Sequence, residues 1–564
     1  MRSNLKLYGH DLLLILTMAT LAACGLIYQY LLSHYAGRVL GVMEHAIFTM
    51  IGVMIVSMGV GAFAAKMVRC PYTGFAWLET IIALFGAAGL LLIGGSFALS
   101  SILPNILAVN YGVPDDLIPK GGMVYLLQEA AGYVPYIIGF IIGTLIGMEI
   151  PFIARVREQV YGQHLEHNVG TIYGADYFGA GAGAAIFIIY MLSAPPEMAA
   201  VYTAAVNLIA GIVFIVMYRR KIRWVIPLAF GQVSMLVVLV VLYQSAAGWN
   251  KALEDMLYQD QVVFSHDTKF QHITLTERKI SPNKPPVYAL YLNGRTQFSS
   301  DDEFIYHDML VHPAMLAAAR RDEVLVIGGG DGLALREVLK WNPQNITLLE
   351  LDNEMVNLFT NETAVDGRVI NKPLLELNNY SFKDKRVNPI FGDAYNTVDQ
   401  LIADGKKFDV ILVDLPDPSH PNLNKLYSIR FYKQLNNLLN GDGAIAIQST
   451  SPYHARDAFL TVGVTLKAAD FSFVERYHQN VPSFGQWGWT IATKVGASPR
   501  VRIDRNGIEL PDNTWATKGL INASFEFGTG FIKRAESLEP NRLGTHLMYR
   551  LHQEAWMGEE DVSF

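Results

Sequence analysis

The first 245 or so residues alternate long apolar runs with short polar breaks, whereas the rest alternates short apolar runs with charged turns. A helix needs about 20 apolar residues to cross a hydrocarbon core of ~30 Å. Seven stretches are long enough: 11–31, 44–67, 75–100, 123–152, 170–192, 197–217 and 224–243. The breaks carry charge, as at Lys66 and Arg69, Arg155 and Arg157, and Arg219-Arg220-Lys221-Ile222-Arg223. The first stretch is too long for a cleaved leader, lacks a small-residue cleavage site and is followed by further spans, so it reads as a retained anchor. After a linker near 244–258 the pattern shortens. Gln271–Thr276 and Val287–Leu292 read as strands, and Asn293-Gly294 is a strong hairpin signal.

From about residue 322 strands and helices alternate. Glu323–Ile327 is a buried-strand run that ends in Gly328-Gly329-Gly330-Asp331-Gly332, followed by helical spacing through Leu335, Val338 and Leu339. Ile346–Leu349 ends in Glu350, a strand near Ile390 precedes Asp393, Phe408–Val413 precedes Asp414, and Gly443–Ile447 follows. The pattern predicts a doubly wound parallel sheet whose ligands bind beyond the carboxyl ends of the strands. The expected organisation is an all-α polytopic membrane domain over 1–245, then a small β-hairpin unit over 246–320. A Rossmann-like, methyltransferase-type α/β domain follows over 321–496, and an extension over 497–564. The extension, with Trp515 and the stretch 546–559, carries no functional signal. Docking on the membrane domain or on a second subunit is its plain expectation.

Composition sharpens this picture in three ways. Hydrophobic residues make up 51% and charged residues 17%, against about a quarter charged in soluble domains. Net charge is −7 with no basic block, which excludes a phosphate-tracking surface and hence nucleic acid as a partner. Cys24 and Cys70 show neither metal spacing nor a disulfide framework. Among the apolar stretches lie Glu44, Glu79, Glu129, Glu149 and Asp176, the last within the small-residue run Gly174–Gly181. An intramembrane carboxylate is costly. Such groups would serve either a cation or amine path or, the more ordinary role, hydrogen bonding between helices.

The chemistry sits at the strand ends. Glycines after the first strand let a ligand approach the backbone, and Glu350, about 20 residues on, suits the hydroxyls of a ribose. That pair alone says only nucleoside-binding domain. Asp331, Asp393, Asp414 and Asp417 add carboxylates, with Asp302, Glu303 and Asp308 upstream. So many acids would repel a phosphate-bearing cofactor and attract a cationic donor and a cationic substrate.

Over about 260–495 the chain resembles spermidine synthase. The matching stretches are Tyr291-Leu292-Asn293-Gly294-Arg295-Thr296-Gln297, Asp302–His307, Gly328–Gly332 with Arg336-Glu337-Val338, Glu350-Leu351-Asp352, Asp414-Leu415-Pro416-Asp417-Pro418, Pro421, Leu426-Tyr427, Phe431-Tyr432 and Gln448. The resemblance implies transfer of the aminopropyl group of decarboxylated S-adenosylmethionine to an amine such as putrescine, giving spermidine and 5′-methylthioadenosine. It further implies that Gln271, Gly328, Gly330, Glu350, Asp393, Ala394 and Pro421 surround the methylthioadenosine part of the donor. Tyr306, His307, Asp331 and Gln448 would line the aminopropyl and amine channel, Asp417 would help to anchor the amine, and Asp414 would be the acid–base residue. The reaction asks for no metal and no permanently bound cofactor, the donor being a co-substrate. Soluble relatives suggest a homodimer or higher oligomer.

Three departures bear on the acceptor: Asn293 stands where Asp is usual, Leu415-Pro416 replaces a small polar pair, and Phe484 replaces a common Tyr. Two other readings stay open at this point: a methyltransferase on the same sheet, and a polyamine transporter or sensor with a non-catalytic binding domain. Orientation also stays open. Lys and Arg crowd the N-terminus (Arg2, Lys6) and the second, fourth and sixth loops, while the first and third hold only Arg38 and Lys120. That puts the N-terminus in the cytoplasm, and seven crossings then put the catalytic domain outside. A cytosolic nucleoside donor argues for the cytoplasmic side instead.

Overall fold

The computed structural model describes residues 2–40, 43–111, 123–162, 167–191, 194–258, 260–365 and 367–558. Lys120 and Glu559 and the side chains of Arg2, Lys6 and Glu44 lie outside the described residues. The chain forms two compact units, Met1–Val262 and Val263–Phe564.

The first unit is helical: α1 (Arg2–Leu40), α2 (Met43–Ala64), α3 (Pro71–Tyr111), α4 (Met123–Tyr161), α5 (Asn168–Ile186), α6 (Pro196–Tyr218) and α7 (Val225–Tyr258). Each carries a stretch long and apolar enough to cross a membrane. The apolar part of α7 ends at Ala246, but the helix continues to Tyr258 through Lys251, Glu254 and Asp255, so the polarity change near 245 is not a structural break.

Polar contacts tie the helix ends together. Arg157 near the end of α4 ion-pairs with Asp11 of α1, and Arg155 donates to the carbonyls of Val68 at 2.8 Å and Arg69 at 2.9 Å after α2. Lys221, between α6 and α7, reaches the Tyr72 hydroxyl at the start of α3. A Cβ on Gly94 of α3 would lie 3.3 Å from Leu253, so α3 and α7 run side by side in the same direction. The start of α1 and the end of α7 are therefore at opposite ends of the bundle.

Glycine makes the closest helix contacts. On α4, Gly139, Gly143 and Gly147 recur every fourth residue, and a Cβ on Gly147 would sit 2.0 Å from the Met58 carbonyl oxygen of α2. Small residues at this spacing let helix backbones touch where lipid offers no hydrophobic drive. Gly179 does the same against Ala19 of α1, whereas Gly174 and Gly181 have open space beside them. Of the carboxylates, Glu79 accepts a hydrogen bond from Asn207 of α6 at 3.0 Å, an interhelical role, and Glu129 is exposed.

The second unit opens with a four-stranded antiparallel sheet, β1 (Gln261–Asp267), β2 (His272–Arg278), β3 (Val287–Leu292) and β4 (Arg295–Ser299), in that order. Asn293 (φ 51°) and Gly294 (φ 79°) turn β3 into β4, both at positive φ as this short hairpin turn demands. Asn293 also accepts the His272 N–H at 2.9 Å, a local reason for Asn at this position.

Next come α8 (Glu303–Ala317), β5 (Glu323–Gly328), α9 (Leu333–Leu339), β6 (Asn345–Glu350), β7 (Ala364–Val365), β8 (Arg368–Val369), β9 (Val387–Phe391), β10 (Phe408–Asp414), β11 (Leu439–Gln448), β12 (Phe473–Val481) and β13 (Gly485–Thr493). Seven of these strands form one sheet in the order β12-β13-β11-β10-β5-β6-β9. Five are parallel, as the sequence pattern predicts, but β12 and β13 add an antiparallel edge that it does not. Their polar, aromatic sequences alternate less cleanly than the buried runs. Along β5, Val324 and Val326 enter one core and Leu325 and Ile327 the other, so both faces are covered. Strand order reverses between β5 and β10, which opens a crevice above their carboxyl ends.

The contact at Gly147 predicts that Gly147→Val lowers the thermal midpoint of the detergent-solubilised protein by several degrees. Gly52→Val on α2, where nothing lies within 4 Å, serves as the control. Equal midpoints for the two variants would contradict the close approach of α2 and α4.

Candidate active site

The crevice is built around the turn from β5 into α9. Gly328 has φ +80°, and a Cβ there would lie 2.0 Å from the Asp414 carbonyl oxygen at the end of β10, so no side chain fits. A Cβ on Gly329 would lie 3.1 Å from Asp414 Oδ2, and one on Gly330 would lie 2.9 Å from Glu350 Oε2. The glycine loop thus runs between two carboxylates, one from each neighbouring strand.

Asp414 is half-buried. Its Oδ1 accepts the Tyr306 hydroxyl of α8 at 2.6 Å, and Oδ2 faces the loop. Burial, reinforced by the charge of Asp331, pushes its carboxyl up to about 6, against the opposing pull of His307 and the Tyr306 hydroxyl. Asp331, just before α9, accepts the Leu333 N–H at 2.9 Å, and burial raises it as well. Glu350 is raised to about 7 by burial, even though it accepts the N–H groups of Leu351 and Asp352.

His307 stands between these acids. Burial opposes its charge, but hydrogen bonding to Glu303 at 2.8 Å, with the charges of Asp331 and Asp414, lifts it to about 9, so it is a cation at neutral pH. Glu303 in turn accepts both ends of the Arg336 guanidinium, at 2.7 and 3.0 Å. A buried chain of Arg336, Glu303 and His307 therefore places positive charge behind Asp331 and Asp414.

The upstream acids read from sequence as attractors of a cation are spent internally. Glu303 pairs with His307 and Arg336. Asp302 accepts the Ser483 N–H at 2.6 Å, and Asp308 accepts the N–H groups of Trp515 and Ala516 at 2.6 and 2.9 Å. Asp308, His312 and Glu337 are close enough together to hold a metal. Their atoms are instead engaged with those N–H groups, with the Trp341 indole N–H and with Lys340 at 2.6 Å, which makes an ion-pair cluster.

Further from the loop, Gln271 donates to Asp352 at 3.0 Å, as does Thr268 at 2.7 Å, so Asp352 orients Gln271. Asp393 caps the helix Ala394–Ala403 through the Tyr395 N–H, and its other oxygen pairs with Lys425 at 2.5 Å. Pro421 begins the short 3-10 helix Pro421–Tyr427 that carries Lys425. Asp417 is half-buried and held below the usual carboxylate range. Burial opposes that, but His552 and Gln448 hydrogen-bond to it and Arg295 lends its charge. Gln448 donates to Oδ1 at 2.9 Å, and Thr450 and His552 reach Oδ2 at 3.2 Å each. Phe484 lies edge-on to Tyr306 at 6.2 Å between centroids, and Trp489 completes an aromatic wall at 5.5 Å.

Asp352 lies inside the matching stretch Glu350-Leu351-Asp352. Lys425, Thr450 and His552 are not singled out by the sequence pattern; they are brought in by the short helix Pro421–Tyr427, the segment after β11 and the extension.

A profile of the spermine/spermidine synthase domain matches residues 303–504. The chain is 49% identical over 547 residues to the polyamine aminopropyltransferase of Shewanella oneidensis, covering 97% of this chain and 95% of that one. It is 30% identical to polyamine aminopropyltransferase 1 of Streptomyces coelicolor over 97% and 95% of the two chains. A crystal structure of spermidine synthase in complex with the transition state analogue AdoDATO aligns at TM-score 0.41 and 25% identity, covering 49% of this chain and 89% of that one.

The Arg336–Glu303–His307 chain yields a stability prediction. Glu303 is 2% and Arg336 13% exposed, and removing one partner of a buried pair costs about 3–5 kcal/mol. Glu303→Ala is expected to lower the thermal midpoint by roughly 6–20 °C, on the scale of about 2–4 °C per kcal/mol for a large domain. An unchanged midpoint would mean that the chain does not hold α8 to α9.

Proposed function

Since the chain belongs to the polyamine aminopropyltransferase family, we propose that it moves the aminopropyl group of decarboxylated S-adenosylmethionine onto putrescine, as a membrane-tethered enzyme. The observation that carries this reading is Asp414: a half-buried carboxylate with one oxygen taken by Tyr306 and the other facing the glycine loop, and with a raised affinity for a proton.

The sulfonium already makes its neighbouring carbon electrophilic, so the leaving group needs no activation. The amine does. Its pKa near ~10 leaves it mostly protonated at neutral pH. Asp414 Oδ2 accepts that proton as the nitrogen lone pair attacks the aminopropyl carbon. The carbon–sulfur bond breaks, its electron pair stays on sulfur, and the products are spermidine and 5′-methylthioadenosine. Holding the two reactants in line supplies much of the remaining acceleration.

In this reading Glu350 takes the ribose hydroxyls beside Gly328 and Gly330. Gln271, set by Asp352, lies along the nucleoside, with Asp393, Ala394 and Pro421 on its adenine side. Asp331 takes the ammonium end of the donor, a group that the parent cofactor carries next to a carboxylate the site would repel. Tyr306, His307, Asp417 and Gln448 border the acceptor, and His307 acts by fixing the charge of Asp331 and Asp414. Self-association is part of the proposal, to be read by light scattering of the detergent-solubilised chain.

The apolar helices tether the enzyme to the cell membrane. The donor is a cytosolic nucleoside, so this reading places the catalytic unit in the cytoplasm, although the cation-rich end of the bundle is the end opposite the close of α7. A reporter fused after residue 250 is expected to give a cytoplasmic signal; an external signal contradicts the placement and means that the donor is met outside.

Mass spectrometry of products from the purified protein, the decarboxylated donor and a panel of amines tests the reaction, with spermidine and methylthioadenosine expected. Asp414→Asn is expected to cost at least 100-fold in kcat, in line with loss of a general base, while donor binding is retained. Because Asp414 must be ionised to accept a proton, kcat should fall as pH drops through about 6. A flat acid limb, or full turnover by the Asn variant, overturns the assignment.

A further inference from the structure

The extension beyond the synthase domain reaches the active site. Its last helix, Leu547–Gly558, seats Met548 in the core on one face of the sheet, with Leu551 and Ala555 against it. Asn541, just before this helix, donates to the carbonyls of Asn424 and Tyr427 at 3.1 and 3.0 Å, and the Met548 N–H donates to Asn424 Oδ1 at 3.1 Å. These bonds bind the extension to the segment Pro421–Tyr427, just after Asp417. One turn beyond Met548, His552 is 1% exposed and places Nε2 3.2 Å from Asp417 Oδ2.

We infer that His552 is a positioning residue for the acceptor amine, acting through Asp417. An ionised carboxylate has about four lone-pair sites. On Asp417, Gln448 takes one site on Oδ1, and Thr450 and His552 take the two on Oδ2, which leaves a single site on Oδ1. Asp417 is 15% exposed, so the carboxylate is not sealed off. The carboxylate therefore offers one acceptor position in a fixed direction, suited to one N–H of a primary ammonium. Without His552 the Oδ2 edge loses its ring N–H, the carboxylate can rotate, and the grip on the amine loses its direction. The glycine loop and Glu350, which serve the donor, lie on other strands and feel none of this.

This inference deepens the aminopropyltransferase reading and rests on it, so turnover by the unaltered full-length chain is the control. No turnover at all indicts that reading; turnover with indifferent variants indicts only the role of His552. In detergent-solubilised protein, His552→Ala is expected to raise KM for the acceptor diamine about tenfold, the worth of a hydrogen bond to a charged group. KM for the decarboxylated donor should stay within twofold, and His552→Gln, which restores an N–H donor, should recover most of the loss. If the alanine variant does not accumulate, His552→Leu, which keeps volume and removes the donor, must show the same split. Acceptor KM within twofold of the unaltered chain in the variant that folds, or an equal rise for donor and acceptor, overturns the inference.

Discussion

A single steric fact organises the catalytic unit: the backbone after β5 passes so close to the end of β10 that residue 328 has room only for hydrogen, 2.0 Å separating a hypothetical Cβ from the Asp414 carbonyl. Because of that approach the following glycines come to lie between the carboxylates of Asp414 and Glu350, each donated by a neighbouring parallel strand. Strand order turns at this point, so the loop faces open space rather than a third strand. Everything assigned to the donor depends on this placement, and the buried Arg336–Glu303–His307 chain supplies a counter-charge behind it.

That counter-charge changes the electrostatic picture drawn from residue types alone. A count of acids near the strand ends suggests a uniformly negative cleft. In the structure several of these acids are consumed by partners, and a protonated His307 faces two of the remainder. What is left is selective: Asp331 and Asp414 beside the loop, Glu350 on its other flank, and Asp417 with its oxygens mostly occupied.

Much of this was legible in the chain. The buried runs at 323–327, 346–349 and 408–413 are central strands because both faces of a parallel sheet are covered, which leaves near-continuous Val, Leu and Ile. Asn293-Gly294 turned as its side chains require. The seven apolar stretches are seven helices because length and hydropathy are sufficient signals. The β12–β13 hairpin was not legible, since an antiparallel edge strand rich in Tyr, His, Gln and Trp carries no buried-strand signature. The partners Ser483 of Asp302 and Trp515 of Asp308 lie some 180 to 210 residues away in sequence, and no local pattern announces them, whereas His307 stands one helical turn from Glu303. His552 was hidden for the same reason: a helix beyond the recognisable domain gives no hint of the carboxylate it meets.

The most direct test of the central claim is a cryo-EM structure of the full chain with 5′-methylthioadenosine bound. The account predicts the ribose hydroxyls within hydrogen-bond distance of Glu350, and the sulfur above Gly328–Gly332 between Asp331 and Asp414. A nucleoside seated elsewhere, with those three carboxylates facing no common ligand, would contradict it.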